Sequence, residues 1–300
     1  MPARTILASI GNTPLVPLRN MRRRGMARVL LKLESFNPTG SLKDRIVDYI
    51  LEAAERDGTL RAQHTIIDAS SGNTGIALGV VAAVRGYKAR IYMPETKSIE
   101  RRRIMQALGI EIVLTSGADQ NSHIWAAEEA ARDTDRFFYL NQNGNQGNCD
   151  AHYHGTGTEI VRQTRGRIDC FVAGAGTGGT LIGVARCLRD KGVSARIVSV
   201  EPDSPKSKIE GLLHFDGSYV PPIWDPSLID EQRRVSDDVA FETARNLARR
   251  EGIFAGPSSG AILSVALDKA RELGPGKTVV ALVCDRGERY LSTRLISDLG

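Results

Sequence analysis

The sequence predicts an α/β fold, with parallel sheets covered by helices. Three observations carry that expectation. Short β-rich runs alternate along the chain with longer amphipathic stretches. Several of those stretches close on a glycine, the residue that ends helices most readily. Two glycine-rich loops stand where a β-rich run gives way to a helical pattern.

The β-rich runs are 28–34, 65–69, 89–94, 111–115, 136–142, 170–174, 196–202 and 278–285. Over 42–54, Leu42, Ile46, Tyr49, Ile50 and Ala53 recur at helical spacing and predict the first helix. Further helical patterns cover 99–109, 122–133, 181–192, 238–252 and 261–274. A Gly/Asn-rich stretch, 141–150, divides the chain near its middle. Residues 203–230, rich in Pro, Ser, Gly and Asp, read as a long irregular loop, a feature that is often functional. A chain of 300 residues allows one large domain or two of ordinary size.

The formal net charge is +5, and Arg22–Arg24 and Arg101–Arg103 form two basic triplets. Neither triplet is interleaved with aromatics or set in a nucleic-acid module, so they read as a solvated loop and an exposed helix face. A mild positive bias suits small anionic substrates. The longest apolar runs, such as 76–84, are too short to span a bilayer. The N-terminal residues lack the apolar core of a secretion signal. Cys149, Cys170, Cys187 and Cys284 show no C-x-x-C spacing. All four are expected to be reduced thiols of a cytoplasmic protein.

Residues 34–45 pose a question of charge. Ser41 and Asp44 fit the capping box that closes a helix N-terminus. Lys43 then falls in the first turn, where free N–H groups already make the helix end positive. A lysine held there is pushed toward its neutral, nucleophilic form.

The two glycine loops, 68–77 and 174–183, are both suited to an anion. In the first, Ser70, Ser71, Asn73 and Thr74 crowd polar side chains after an apolar strand, which suits a carboxylate. In the second, Gly174, Gly176 and Gly179 match G-x-G-x-x-G, and Glu201 follows at the end of the next strand. That is the formal dinucleotide fingerprint, so an NAD(P) oxidoreductase stands as an alternative. His152 and His154 form an H-x-H without evident further ligands, and read as structural rather than as a metal site. Gly256–Gly260 matches G-x-S-x-G in spacing, but without a convincing strand before it. Asp285 and Arg286, after the last strand, read as an ion pair or as substrate-side charges.

Six motifs in order, 10–16, 37–45, 70–75, 176–180, 251–261 and 284–293, resemble those of the cysteine synthase (O-acetylserine sulfhydrylase) family. These are pyridoxal 5'-phosphate (PLP) enzymes of fold type II, similar in fold to the tryptophan synthase β chain. The likeness is collinear over essentially the whole chain. Residues 284–290 look more like the cysteine synthase B branch. The resemblance implies two three-layer α/β domains with mainly parallel sheets. The smaller would be 35–147; the larger would be 1–34 with 148–300.

It also implies roles. Lys43 would form the Schiff base with PLP and act as the catalytic residue. Asn73 would bond the cofactor's phenolic oxygen. Gly176, Thr177, Gly178, Gly179 and Thr180 would cradle its phosphate, and Ser258 would meet the pyridine nitrogen. Ser70, Ser71, Thr74 and Gln142 would hold the substrate carboxylate. Many relatives carry Thr where this chain has Ser70, so a hydroxyl is kept and a methyl lost. The activity implied is β-replacement on O-acetyl-L-serine by sulfide, giving L-cysteine. O-phosphoserine as donor, or thiosulfate, a thiol or an amine as nucleophile, are alternatives. Relatives that use thiosulfate or O-phosphoserine carry an arginine near 212–215, and this chain has none there. A homodimer and a serine acetyltransferase partner are implied too, with neither nucleic acid nor membrane involved. A PLP-fold protein acting mainly as a regulatory partner is a further alternative, although a pure scaffold has no need of Lys43.

Overall fold

The computed structural model describes residues 5–70, 72–96, 99–117, 121–216 and 219–298. The chain begins with β1 (Leu15–Pro17), β2 (Arg28–Leu33), α1 (Lys43–Asp57), β3 (Thr65–Ala69), α2 (Asn73–Arg85) and β4 (Lys88–Pro94). It continues through α3 (Ile99–Ala107), β5 (Glu111–Thr115), α4 (Ser122–Ala130), β6 (Phe137–Tyr139), α5 (Gly147–Ala151) and α6 (Thr158–Thr164). The second half holds β7 (Cys170–Gly174), α7 (Gly179–Asp190), β8 (Arg196–Pro202), β9 (Glu231–Val235), α8 (Asp237–Glu251), α9 (Pro257–Leu273), β10 (Thr278–Val283) and α10 (Arg294–Ser297).

The chain divides into two compact units. One holds the residues up to Ile10 and Asn37–Asn148; the other holds Gly11–Phe36 and Cys149–Gly300. The expectation had kept 1–34 together with the larger part. The first residues fall instead with the smaller, because the 3-10 turn Ile6–Ser9 packs on α2.

The smaller unit has a four-stranded sheet in the order β5-β4-β3-β6, with every pairing parallel. The larger has a six-stranded sheet, β1-β2-β10-β7-β8-β9, in which only β1 pairs antiparallel. Central β10 is buried at every position, as a parallel strand covered on both faces must be. Its run Val279–Val283 is continuously apolar for that reason. Among the described residues, no helix is long and apolar enough to cross a membrane. The four cysteines are buried free thiols, and burial pushes the Cys170 thiol up to about 12.

Several local expectations change. The helix expected over 42–54 runs over Lys43–Asp57, with Lys43 at its first position. The capping box does not form. Ser41 Oγ accepts from the Lys43 N–H at 3.3 Å. The Asp44 carboxylate reaches back to Thr39 instead, taking its N–H at 2.7 Å and also its hydroxyl. The reason is the turn Asn37–Gly40, closed by Gly40 N–H to Asn37 O at 2.7 Å, with Gly40 at φ +82°. It carries Thr39 over the helix start.

The stretch 141–150 turns helical at Gly147. α5 leads through a π-helical turn, His152–Gly157, into α6. Strand β9 is charged and lies at the sheet edge, where such residues protect an unpaired ladder. The run 203–230 is irregular as expected, with one 3-10 turn at Pro226–Leu228 among its described residues.

The motif 10–16 is fixed inside the larger unit from Gly11 onward. Lys32 is fully buried, and its Nζ donates to Glu159 Oε2 at 2.6 Å, Thr13 O at 2.7 Å and Gln163 Oε1 at 2.9 Å. Glu159 Oε1 takes the Asn12 N–H at 2.8 Å, holding that residue at a left-handed φ of 46°. A buried ion pair with its remaining polar groups satisfied ties the turn to α6.

Candidate active site

Ligands of open α/β sheets bind beyond the carboxyl ends of the strands. In each unit the expected site residues lie at such an edge. In the smaller unit, β3 ends at Ala69 and the chain turns through Ser70 into α2. Ser70 Oγ accepts from Gly72 N–H at 3.1 Å and Gly75 N–H at 3.3 Å, which fixes the loop over the helix start. Gln142 arrives just beyond β6, the neighbouring strand. Its Oε1 accepts from Thr74 Oγ1 at 2.6 Å, and its Nε2 donates to Ala69 O at 2.8 Å. Ser70, Thr74 and Gln142 thus form one buried polar cluster beside the α2 N-terminus. Asn73 is the first residue of α2. Ser71, the fourth expected carboxylate ligand, lies outside the described residues.

Lys43 opens α1, and its charge acts on Asp68 at the end of β3. Asp68 is 1 % exposed. Its Oδ1 accepts from Gln142 N–H at 3.3 Å, while Oδ2 is buried without a hydrogen-bond partner. Burial pushes the Asp68 carboxyl up to about 7, against the lowering pull of backbone N–H groups and Lys43. A carboxyl pKa raised by folding adds stability that is complete below its ordinary value of 3.8 and lost as pH rises through about 7. Across that range wild type should lose on the order of 3–4 kcal/mol relative to Asp68→Asn. Urea midpoints of the two proteins from acid to mildly alkaline pH check this. Parallel curves would refute it.

In the larger unit, β7 leads through 175–178 into α7. This loop is a cradle that only glycine allows. A Cβ at Gly176 would lie 2.4 Å from Gly211 O. Gly178 has φ +90°, and a Cβ there would lie 2.9 Å from the Trp224 ring. Thr177 Oγ1 accepts from Gly179 N–H at 3.4 Å. Thr180 Oγ1 lies 3.1 Å from Nε2 of the fully buried His152, whose Nδ1 lies 2.9 Å from Thr156 Oγ1. A twelve-residue helix starting at a bare glycine turn presents free N–H groups and its positive end to an anion.

The long loop packs on this cradle. Leu213 N–H donates to Ala175 O at 2.8 Å, and Leu212 covers Gly174. Ser258 stands at the second position of α9, beside Ser259, whose Oγ takes the Cys284 N–H at the end of β10. The α9 start thus meets the same carboxyl edge as the β7 loop, one strand over. Ser258 is 3 % exposed, and its hydroxyl makes no hydrogen bond among the described residues.

These features fit PLP. The dianionic phosphate matches the glycine cradle and the α7 N-terminus. The free Ser258 hydroxyl suits a ring nitrogen. They fit the alternatives poorly. Glu201 is buried, and its Oε2 takes the Phe215 N–H at 3.3 Å, so it anchors the long loop rather than offering itself to a ribose. Among the described residues no base holds Ser258, so a hydrolase reading lacks an activated nucleophile. Asp285 accepts from Tyr290 OH at 2.6 Å, and Arg286 Nε donates to Ser35 O at 2.9 Å, so both are engaged within the fold.

Two residues went unassigned in the sequence. The sequence marks His152 only as structural, and its contact with Thr180 follows from the π-helical turn that aims it there. Asp68 carried a signal, an acid inside an apolar strand.

The comparisons agree with this chemistry. The sequence matches the family described as "Pyridoxal-phosphate dependent enzyme" over residues 6–285. A cysteine synthase of Staphylococcus aureus is 41% identical, the alignment covering 99% of this chain and 98% of that protein. The structure of a cysteine synthase (OASS) from Entamoeba histolytica is 38% identical with a TM-score of 0.92, over 99% of this chain and 91% of that one. The structure of an O-ureido-L-serine synthase is also 38% identical, with a TM-score of 0.95 over 100% of this chain and 97% of that one. The chain belongs to the pyridoxal-phosphate dependent enzyme family, and within it to the cysteine synthases.

Proposed function

We propose that the protein catalyses β-replacement on O-acetyl-L-serine by sulfide, forming L-cysteine. The observation that carries this reading is the polar cluster of Ser70, Thr74 and Gln142 at the same strand end where the charge of Lys43 is felt. That cluster offers a substrate carboxylate its donors, while Lys43 supplies the amine. Ser71 completes the carboxylate set in this proposal. Asn73 bonds the cofactor's phenolic oxygen, residues 176–180 hold its phosphate, and Ser258 faces its ring nitrogen.

When bound, PLP supplies the electron sink that makes the substrate Cα–H acidic and lets the acetate leave. The chain does the rest. Lys43 covalently anchors the cofactor and, once released, takes the Cα proton. The carboxylate cluster orients the substrate so that this proton meets the amine. Ser258 donates a hydrogen bond without enforcing a full charge on the ring, which favours elimination over transamination. Ser258→Asp should slow cysteine formation by roughly 10-fold or more, against the 10²–10⁴-fold typical of losing a proton-transfer group. Steady-state assays check this, and an unchanged rate would remove Ser258 from the site.

A second acceptor is favoured by the likeness to the O-ureido-L-serine synthase, whose name puts a ureido group on the serine oxygen. The test is a screen of sulfide, thiosulfate, thiols, amines and a hydroxylated urea against O-acetylserine and O-phosphoserine. Cysteine formed fastest from O-acetylserine and sulfide supports the first reading. A faster product with the urea acceptor replaces it with the second. A cytoplasmic homodimer and binding of serine acetyltransferase rest on the resemblance, and sizing chromatography with and without that partner tests both.

A further inference from the structure

The basic triplet Arg101–Arg103 has no part in the function set out above, and its side chains go separate ways. Arg103 is exposed, as the sequence suggests, and Arg102 reaches back to Glu95 O. Arg101 is 3 % exposed, so the expected solvated face does not include it.

α3 packs on α2 through glycines. A Cβ at Gly79 would lie 2.8 Å from Leu108 Cβ, and one at Gly75 would lie 2.4 Å from Met105 Sδ. One at Gly72 would lie 2.6 Å from Arg101 Cδ, 2.7 Å from Nη1 and 2.8 Å from Nε. Arg101, Met105 and Leu108 follow at steps of four and three residues in the sequence and so share one helix face. Each fills the room left by a missing side chain at the start or along the face of α2. Met105 and Leu108 are apolar, as a packed helix face requires. Arg101 is a cation, and it stands at the end where the carboxylate loop enters α2.

That placement is unfavourable on two counts. Burying a guanidinium strips it of water. The first turn of α2 is also the positive end of a helix of 13 residues, where a further cation is disfavoured. A leucine or methionine would fill the space beside Gly72 at neither cost. An anion bound at the loop turns the second count into a gain. Gly72 lies between Ser71 and Asn73, and its N–H donates to Ser70 Oγ at 3.1 Å, so Arg101 touches the loop at the residue that Ser70 fixes. Arginine stays charged at every working pH.

We propose that Arg101 is a positioning residue for the substrate carboxylate: held against Gly72, its guanidinium gives the cluster of Ser70, Thr74 and Gln142 the fixed positive charge that makes the site select carboxylated amines. This rests on that cluster being the carboxylate site. The cluster side chains are uncharged, so they hold a carboxylate in place while Arg101 adds the charge that tells it from a neutral group. Arg101 acts through the loop and not by touching the reacting atoms.

Spectral titration of the PLP-loaded enzyme with L-serine and with ethanolamine tests this, because the two amines differ by the carboxylate alone. The shift of the imine band gives a dissociation constant for each. Wild type should bind L-serine the more tightly. Arg101→Gln, or Arg101→Met should the first variant not fold, should weaken L-serine roughly 10-fold or more and leave ethanolamine within about two-fold. Arg101→Lys, which keeps the charge, should recover most of the preference. Equal losses for both amines would mean that Arg101 only packs α3 on the loop, and unchanged constants would mean that its charge is not felt. Either result overturns the proposal. A wild type that shows the imine band but no preference for L-serine sinks the carboxylate reading of the cluster itself, and Arg101 with it.

Discussion

Lys43→Ala should abolish both the imine absorbance and turnover. Lys43 is the first residue of α1, at the end of the helix where four backbone N–H groups lack intrahelical partners. Its amine is the only group assigned both to anchor the cofactor and to move the Cα proton. Loss of the proton-transfer role alone is worth about 10²–10⁴-fold in rate. Loss of the anchor adds to that by removing the covalent hold on the cofactor. The spectrum and the rate must fall together. Retained turnover with a lost band would mean that another group takes the proton, and a retained band would mean that another lysine bears the cofactor.

Gly260→Ala should destabilise the larger unit by about 3 kcal/mol or more, at the upper end of what overpacking costs. A Cβ at Gly260 would lie 2.0 Å from Ala240 O, 2.7 Å from Ala244 N and 2.9 Å from Ala244 Cβ. Two of these are backbone atoms of α8, so no rotamer change relieves the clash. Helix α8 must move off α9, whose start carries Ser258. The informative comparison is Gly58→Ala. Gly58 has open space around it and φ +79°, so it should cost only about 1 kcal/mol through backbone strain. Equal falls in urea midpoint for the two variants would show that the α8–α9 approach tolerates a methyl. Gly260→Ala should also weaken cofactor binding, because Ser258 shares the displaced segment.

Much of the fold is legible along the chain. Strands such as Thr65–Ala69, Cys170–Gly174 and Arg196–Pro202 were readable to the residue, because strands covered on both faces read as short, largely apolar runs. Helices α3, α4, α8 and α9 were readable from their period. β9 was not, because an edge strand is selected to look polar. α2 was implied only by the loop before it, since an apolar helix shows little period. The start of α5 was hidden within a Gly/Asn-rich stretch.

The candidate site divides in the same way. Residue types and their order point to Lys43, the serine-rich loop and the glycine cradle, because local chemistry dictates them. A lysine in a helix's first turn, hydroxyls after a strand and glycines before a helix each act through their immediate neighbours. The tertiary structure decided what long-range packing alone can make. It set Gln142 against Thr74, 68 residues apart in sequence. It turned His152 onto Thr180, and it committed Glu201 to the long loop. It also sealed Asp68 from water with one oxygen unpartnered. Burial and orphaned polar atoms are properties of the packed whole, and no spacing along the chain encodes them.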